Sequence, residues 1–207
     1  MKNIDSIILA AGQSTRMGTD KALLNLKNEK VISLIIRKLS TFSDNLIIVL
    51  GENYQNVKTY VKTDIKTNIP VKFIFNDKHH LGMFSSLKKG IRHLKEEKPL
   101  LIQLVDQPFL SLKTYDKIIE NLLINKYHFF KPYLKINKKK RGGHPIIATP
   151  KGIKLIRQAN LKSNLREVMK NSRIKYIKVD NEAILQNINT PKKFKKYKRI
   201  YYGNENI

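Results

Sequence analysis

Apolar and polar positions change period several times along the chain. Residues 4–10, 46–50, 71–75 and 99–105 are short runs rich in Ile, Leu and Val. They are apolar on both faces, which predicts strands buried between two layers. Between them, residues 31–39, 54–63 and 86–94 space their apolar positions as helices do. Residues 112–124 continue the alternation after Pro108, with Ser111 as an N-cap. This β-α-β-α order predicts a parallel sheet with helices on both faces. Right-handed crossovers then leave a doubly wound, Rossmann-like α/β sandwich of three layers as the simplest topology.

Beyond residue 125 the pattern loosens. Residues 129–136, a basic tip and residues 142–147 predict a strand, a hairpin loop and a returning strand. Helices over 150–159 and 165–170 follow, then a strand over 174–179. A closing helix starts at Thr190-Pro191, with Thr as N-cap and Pro in the tolerated first position. No repeat, Pro-rich linker or low-complexity block marks a boundary. The expectation is a single domain over 1–207, with a ligand-binding half (1–125) and an extension folded against the sheet (126–207).

Composition narrows the class. The 207 residues are 41% hydrophobic, close to the globular norm, and enough to bury a core. With Cys 0, disulfides, thiolate nucleophiles and Cys-ligated metals are excluded. No apolar run approaches the roughly 20 residues of a membrane helix, and residues 7–11 are too short for a signal-peptide core. The expectation is a soluble, cytoplasmic protein. Lys+Arg 41 against Asp+Glu 16 gives +25, which raises the possibility of nucleic acid. The charge is spread along the chain, however, and its two local excesses read as a hairpin tip (135–141) and one solvated face of the last helix (192–199). A polyanionic small molecule such as a nucleotide suits this field better than a nucleic acid.

In such sheets ligands bind beyond the carboxyl ends of the strands. Three segments fall there. In Leu9-Ala10-Ala11-Gly12-Gln13-Ser14-Thr15-Arg16-Met17-Gly18-Thr19-Asp20-Lys21 a strand enters a small, polar loop with two cations, an anion-binding loop that is neither Walker A nor GxGxxG. In Val105-Asp106-Gln107-Pro108 a carboxylate ends an apolar strand, where a hard cation could sit beside phosphates. In Asn76-Asp77-Lys78-His79-His80-Leu81-Gly82-Met83-Phe84-Ser85-Ser86 one serine is expected to cap the next helix, or to bond a nucleobase or phosphate. The His79-His80 pair lacks further ligands at zinc spacing and reads as surface.

The run LAAGxSxRMGxDK resembles the signature of the MobA-like NTP transferases, and within them the molybdenum cofactor cytidylyltransferases. Asn76 with Gly82-Met83-Phe84-Ser85-Ser86-Leu87, Asp106-Gln107-Pro108, Gly143-His144-Pro145 and Asn187-Ile188-Asn189-Thr190-Pro191 resemble that group's further motifs in order. The resemblance implies a nucleotidyltransferase fold of the GT-A type with a mostly parallel central sheet. It assigns Leu9, Ala10, Ala11 and Gly12 to the nucleotide, Arg16 and Lys21 to its triphosphate, and Ser86 to the nucleoside. It gives Asp106 and Asn189 to Mg²⁺, and Gly143 and His144 to the acceptor, with the basic tip assisting. Asn189 stands where the cytidylyl group usually has Asp; Asn is usual in guanylyl relatives. Ala11, where guanylyl enzymes typically carry Gly, and the Ser85-Ser86 segment favour CTP. The implied reaction joins CMP to the terminal phosphate of molybdopterin, and the implied protein partner is a molybdoenzyme maturation partner. The alternatives are GTP with the same cofactor, CTP or UTP with a sugar or polyol phosphate, a non-catalytic nucleotide-binding maturation factor, and a basic RNA-binding protein.

Overall fold

The computed structural model describes residues 4–94, 98–123 and 126–203. Four strands, β1 (Asp5–Ala10), β2 (Asn45–Leu50), β3 (Val71–Phe75) and β4 (Leu100–Leu104), run parallel in the order β3-β2-β1-β4. Helices α1 (Val31–Ser40), α2 (Tyr54–Asp64) and α3 (Met83–Ile91) connect them. The alternation of side chains along β1 explains the layers. Ile8 and Ala10 face one core, shared with Ile32, Ile35 and Leu39 of α1 and Val57 of α2. Ile7 and Leu9 face the other, shared with Phe84, Leu87 and Ile91 of α3. Each such aliphatic side chain removed from water contributes roughly 1.5–3 kcal/mol, and a strand buried on both faces collects this twice over.

Two elements differ from expectation. Helix α3 begins at Met83, three residues before its predicted start, because Gly82 (φ 92°) turns the chain into the helix. Neither serine caps it: the Ser85 hydroxyl donates to the Gly82 and Lys78 carbonyls instead. Helix α4 (Leu112–Ile119) is capped by Ser111 as predicted and tightens into a 3-10 turn over Glu120–Leu123; Ile124, the last residue of the predicted span, lies outside the described residues.

The second half is not an extension laid against the sheet. It is the sheet's continuation. Strand β7 (Ile146–Ala148) pairs antiparallel with β4, and β5 (Phe129–Ile136) pairs with β7 in turn. Without β7 the central β4 would expose a row of unpaired N–H and C=O groups. Strand β6 (Lys139–Gly142) returns on β5 through Asn137 and Lys138, both at positive φ, as a two-residue hairpin demands. Strand β8 (Ile174–Lys178) pairs parallel with β5. Helices α5 (Pro150–Gln158) and α6 (Leu165–Lys170) contribute Ile153, Ile156, Leu165 and Met169 to the core on the α3 side. Helix α7 (Pro191–Tyr202) opens with Thr190 bonding the Lys193 amide and Pro191 in the first turn, as expected. Among the described residues no helix is long and apolar enough to cross a membrane.

Candidate active site

The carboxyl ends of β1 and β4, neighbours in the sheet, open onto a cleft of about 180 Å³. Leu9, Ala11, Gly12, Lys21, Ser86 and Asp106 line it, together with His79 and the start of α3 at Gly82 and Met83. Ala10 lies just behind. Its side chain is in the core, and its carbonyl accepts from Asn53 Nδ2 at 3.2 Å. The cleft holds less than a whole nucleotide would fill, but beside it Gly12, Gln13, Thr15 and Arg16 of the loop after β1 are exposed.

Local conformation explains that loop. Ser14 (φ 52°) and Gly18 (φ 68°) are left-handed and bracket a 3-10 turn at Thr15–Met17. Met17 is the turn's buried anchor, whereas Arg16 points to solvent. A second 3-10 turn, Lys21–Leu23, is capped by Asp20, whose carboxylate accepts the Ala22 amide at 2.9 Å. This turn aims Lys21 across the cleft mouth, where Nζ donates to Asn189 Oδ1 at 2.9 Å. Residues 168 positions apart are thereby joined.

Asp106 occupies the opposite wall. Its backbone carbonyl accepts the Ile188 amide at 2.8 Å, which brings the segment preceding α7 against the end of β4. Oδ2 accepts from Asn187 Nδ2 at 3.3 Å, and Asn187 Oδ1 accepts from Gln107 Nε2 at 2.7 Å. Gln107 therefore fixes which way the Asn187 amide faces. Burial raises the Asp106 pKa, opposed by the Lys21 charge and by the Asn189 and Asn187 amides nearby. Oδ1 is buried with no hydrogen-bond partner.

That orphaned oxygen bears on the magnesium expectation. Among the described residues no three His, Cys, Asp or Glu side chains gather into a metal cage. Mg²⁺ is commonly held by one or two carboxylates with the balance from substrate phosphates and water. Asp106 Oδ1 fits such a role, and the Asn189 amide oxygen, already bonded to Lys21, has a second lone pair to offer.

Several residues sit differently from their sequence reading. His79 is not surface: its side chain is 12% exposed, it lines the cleft, and Nδ1 is buried without a partner. Its Nε2 lies 3.9 Å from Glu52 Oε1, and Glu52 also accepts from Gln13. Gly143 and His144 do not line this cleft. They pack behind Asp106, through Ile184. The Ile184 carbonyl accepts both the His144 amide and Gln107 Nε2, each at 3.2 Å. A Cβ on Gly143 would sit 2.0 Å from that same oxygen, so no larger residue fits. Burial, with the Lys131 charge, pushes the His144 pKa down to about 4, leaving a neutral imidazole whose Nε2 has no partner. Gln107 and Asn187 were legible only as parts of motifs. Their roles depend on long-range pairs that spacing does not report.

Residues 6–177 match the MobA-like NTP transferase domain. A probable molybdenum cofactor guanylyltransferase of Natranaerobius thermophilus is 30% identical over 134 residues, 64% of this chain and 61% of the relative, so the match spans less than two thirds of that protein. The molybdenum cofactor cytidylyltransferase of Escherichia coli is 27% identical over 202 residues, 97% of this chain and 98% of the relative. Molybdopterin-guanine dinucleotide biosynthesis protein A of Archaeoglobus fulgidus superposes with a TM-score of 0.71 at 18% identity, covering 95% of this chain and 97% of that one, and shares the fold.

Proposed function

The chain belongs to the MobA-like NTP transferase family, and from that premise we propose that it transfers CMP from CTP to the terminal phosphate of molybdopterin. The observation that carries this reading is the meeting of Lys21, Asp106 and Asn189 at the mouth of a cleft floored by Leu9 and Ala11. In the reaction an oxygen of the acceptor phosphate bonds to the α-phosphorus. The bond from that phosphorus to the β-phosphate oxygen breaks, and pyrophosphate leaves with the electron pair. A phosphate monoester is already anionic near neutral pH, so the chain need not supply a general base. What it must supply is alignment and countercharge.

The exposed loop after β1 offers backbone amides and Arg16 to the phosphates. Lys21 follows the charge that builds on the leaving pyrophosphate, exchanging its bond to Asn189 for one to phosphate oxygen. Asp106 and Asn189 are the residues that would hold Mg²⁺, which, when bound, neutralises phosphate charge between donor and acceptor. Gly143 and His144 serve the acceptor side by fixing the wall behind Asp106.

Cytidine over guanine is supported by Ala11 and Ser86, both of which line the cleft. Guanine with the same acceptor remains the second reading, favoured by Asn189. Calorimetric titration with CTP, GTP, UTP and ATP, with and without Mg²⁺ in moderate salt, tests both. Mg²⁺-dependent binding of CTP at least tenfold tighter than GTP, followed by pyrophosphate release only when molybdopterin is added, is the expected result. A GTP preference would move the reading to the guanylyl branch, and binding of none would end it.

A further inference from the structure

Three buried polar side chains meet where β3 leads into α3. Asn76, 1% exposed, follows β3. Its Oδ1 accepts the Lys78 amide at 3.1 Å, which fixes the orientation of the side-chain amide. Nδ2 must then face Ser85 and Ser86, and it does, at 2.9 and 3.0 Å. Since an amide nitrogen only donates, both serine oxygens are acceptors in these bonds. Each hydroxyl still has one hydrogen to place.

The two serines place it differently. The Ser85 hydrogen is shared between the Lys78 and Gly82 carbonyls, both 2.8 Å away, so Ser85 is closed. Ser86 has no acceptor in the protein among the described residues, and its side chain lines the cleft. A buried hydroxyl with one lone pair already taken and its hydrogen unpaired calls for an acceptor.

We infer that Asn76 is a positioning residue that sets the polarity of Ser86, presenting it as a hydrogen-bond donor to an acceptor atom on the nucleoside end of the bound nucleotide. This rests on the nucleotide reading of the cleft. A pyrimidine presents such an acceptor as its 2-carbonyl oxygen, whereas the amide edge of guanine (N1–H and the 2-amino group) presents donors. A donor edge placed over Ser86 would leave the Ser86 hydrogen without an acceptor, and an unpaired polar group in a closed site discriminates against the wrong ligand. The triphosphate lies over the loop after β1 and does not depend on this contact.

The test compares CTP with inorganic tripolyphosphate, both with Mg²⁺, by calorimetry on the full chain. Asn76→Asp keeps size and the bond from the Lys78 amide but replaces the donor with an acceptor. Both serines must then donate to it, and Ser86 loses its free hydrogen. CTP affinity should fall about tenfold or more in Asn76→Asp and in Ser86→Ala, while tripolyphosphate affinity stays within twofold. Ser85→Ala, equally close in the network, should leave the CTP-to-tripolyphosphate ratio at its wild-type value. Should Asn76→Asp fail to fold, the contrast between Ser86→Ala and Ser85→Ala decides. Equal weakening of both ligands in Asn76→Asp, or Ser85→Ala matching Ser86→Ala, would reduce Asn76 to a packing residue and overturn the inference. If wild type binds tripolyphosphate but shows no added affinity for any nucleoside triphosphate, the nucleotide reading fails first and the inference falls with it.

Discussion

The loops that follow β1 and β4 leave neighbouring parallel strands at one sheet edge, yet they are held in opposite ways. Between Gly12 and Thr19 the side-chain bonds are few: Gln13 reaches Glu52 at 3.3 Å, and Ser14 reaches back to Gly12 at 3.5 Å and accepts the Lys21 amide at 3.4 Å, before Lys21 itself anchors to Asn189. After β4 the chain is clamped from three directions. Lys38 of α1 donates to the Pro108 and Leu110 carbonyls, Gln103 donates to the Gln107 carbonyl, and Gln107 engages Asn187 and Ile184. Under the proposed function the difference follows from what each would do. Phosphates need backbone amides that a ligand can approach, whereas a carboxylate that meets a cation works best when fixed beforehand, so that no reorganisation is needed during reaction.

The sharpest test pairs one charge from each side. Lys21→Ala and Asp106→Asn should each lower turnover by about 100-fold or more, because the first removes a countercharge to the phosphates and the second the carboxylate that would hold Mg²⁺ beside them. Their stabilities should move in opposite directions. Burial raises the Asp106 pKa, so the fold favours the neutral acid and carries a cost for the carboxylate at pH values above its folded pKa. Below the ordinary carboxylate range both states are protonated and that cost is gone. Asp106→Asn should therefore melt higher than wild type at neutral pH without divalent cation, with the gap closing on acidification. Lys21→Ala removes the cation that partly offsets the cost, and should melt lower. Thermal scans that show both variants shifting the same way would refute the opposition.

A pair of glycines extends the contrast with a smaller effect. A Cβ on Gly12 meets nothing within 4 Å, so Gly12→Ala should leave the melting temperature within a degree or two or raise it slightly. The methyl group would nevertheless stand in the path of the phosphates, and nucleotide affinity should drop roughly tenfold. Gly143→Ala should do the reverse. Its Cβ meets the Ile184 carbonyl at 2.0 Å, and that oxygen is already tied to Gln107 and His144. A loss of about 1–3 kcal/mol in urea denaturation is expected. Apparent CTP affinity, measured well below the transition, should change less than in Gly12→Ala. Equal affinity losses in both would mean that the rear wall is as ligand-facing as the loop.

This contrast also marks what could be read from sequence. Strands β1, β2 and β4 were legible because each is an apolar run bounded by turn residues, and burial on both faces is a strong local signal. Strand β3 was found by its apolar residues but is not buried as expected, because it is the sheet's edge strand, with Ile74 buried and Phe75 exposed. The strand over 174–179 and the helix over 165–170 were legible by periodicity instead, an alternating Ile-Lys-Tyr-Ile-Lys pattern and apolar residues four apart after Asn164. The pairing of β7 with β4 was not, since nothing in Ile146-Ile147-Ala148 states which edge it will cover. At the site, Gly12, Lys21 and Asp106 announced themselves by position after strands. Asn189 entered only through resemblance, and its bond to Lys21 spans most of the chain. His79 was misread because a histidine pair beside lysine looks solvated, whereas the 3-10 turn at His79–Leu81 folds the first of them under Gly51.

The smallest expected effect belongs to Lys38, the clamp on the β4 loop. Burial, with Arg37 close by, lowers its pKa to about 8. Lys38→Met keeps the stem and removes both the charge and its two carbonyl bonds. At pH 7 these changes oppose each other: two hydrogen bonds worth about 1 kcal/mol each are lost, and the cost of a buried ammonium is relieved. The variant should therefore stand within about 1 kcal/mol of wild type, with turnover reduced only a few-fold as the loop loosens. The pH dependence carries the sign. Below pH 8 both folded and unfolded states hold the proton, and wild type bears the full burial cost. Between about 8 and 10.5 the folded state releases the proton while the unfolded state keeps it, so wild type gains stability over the variant. The gain should approach about 3 kcal/mol by the top of that window. Urea denaturation of both proteins at pH 7 and pH 10 reads the difference directly, since the remaining lysines and tyrosines titrate alike in the two. A difference that does not change with pH would mean that Lys38 sits in water after all, and that the loop after β4 is no better clamped than its neighbour.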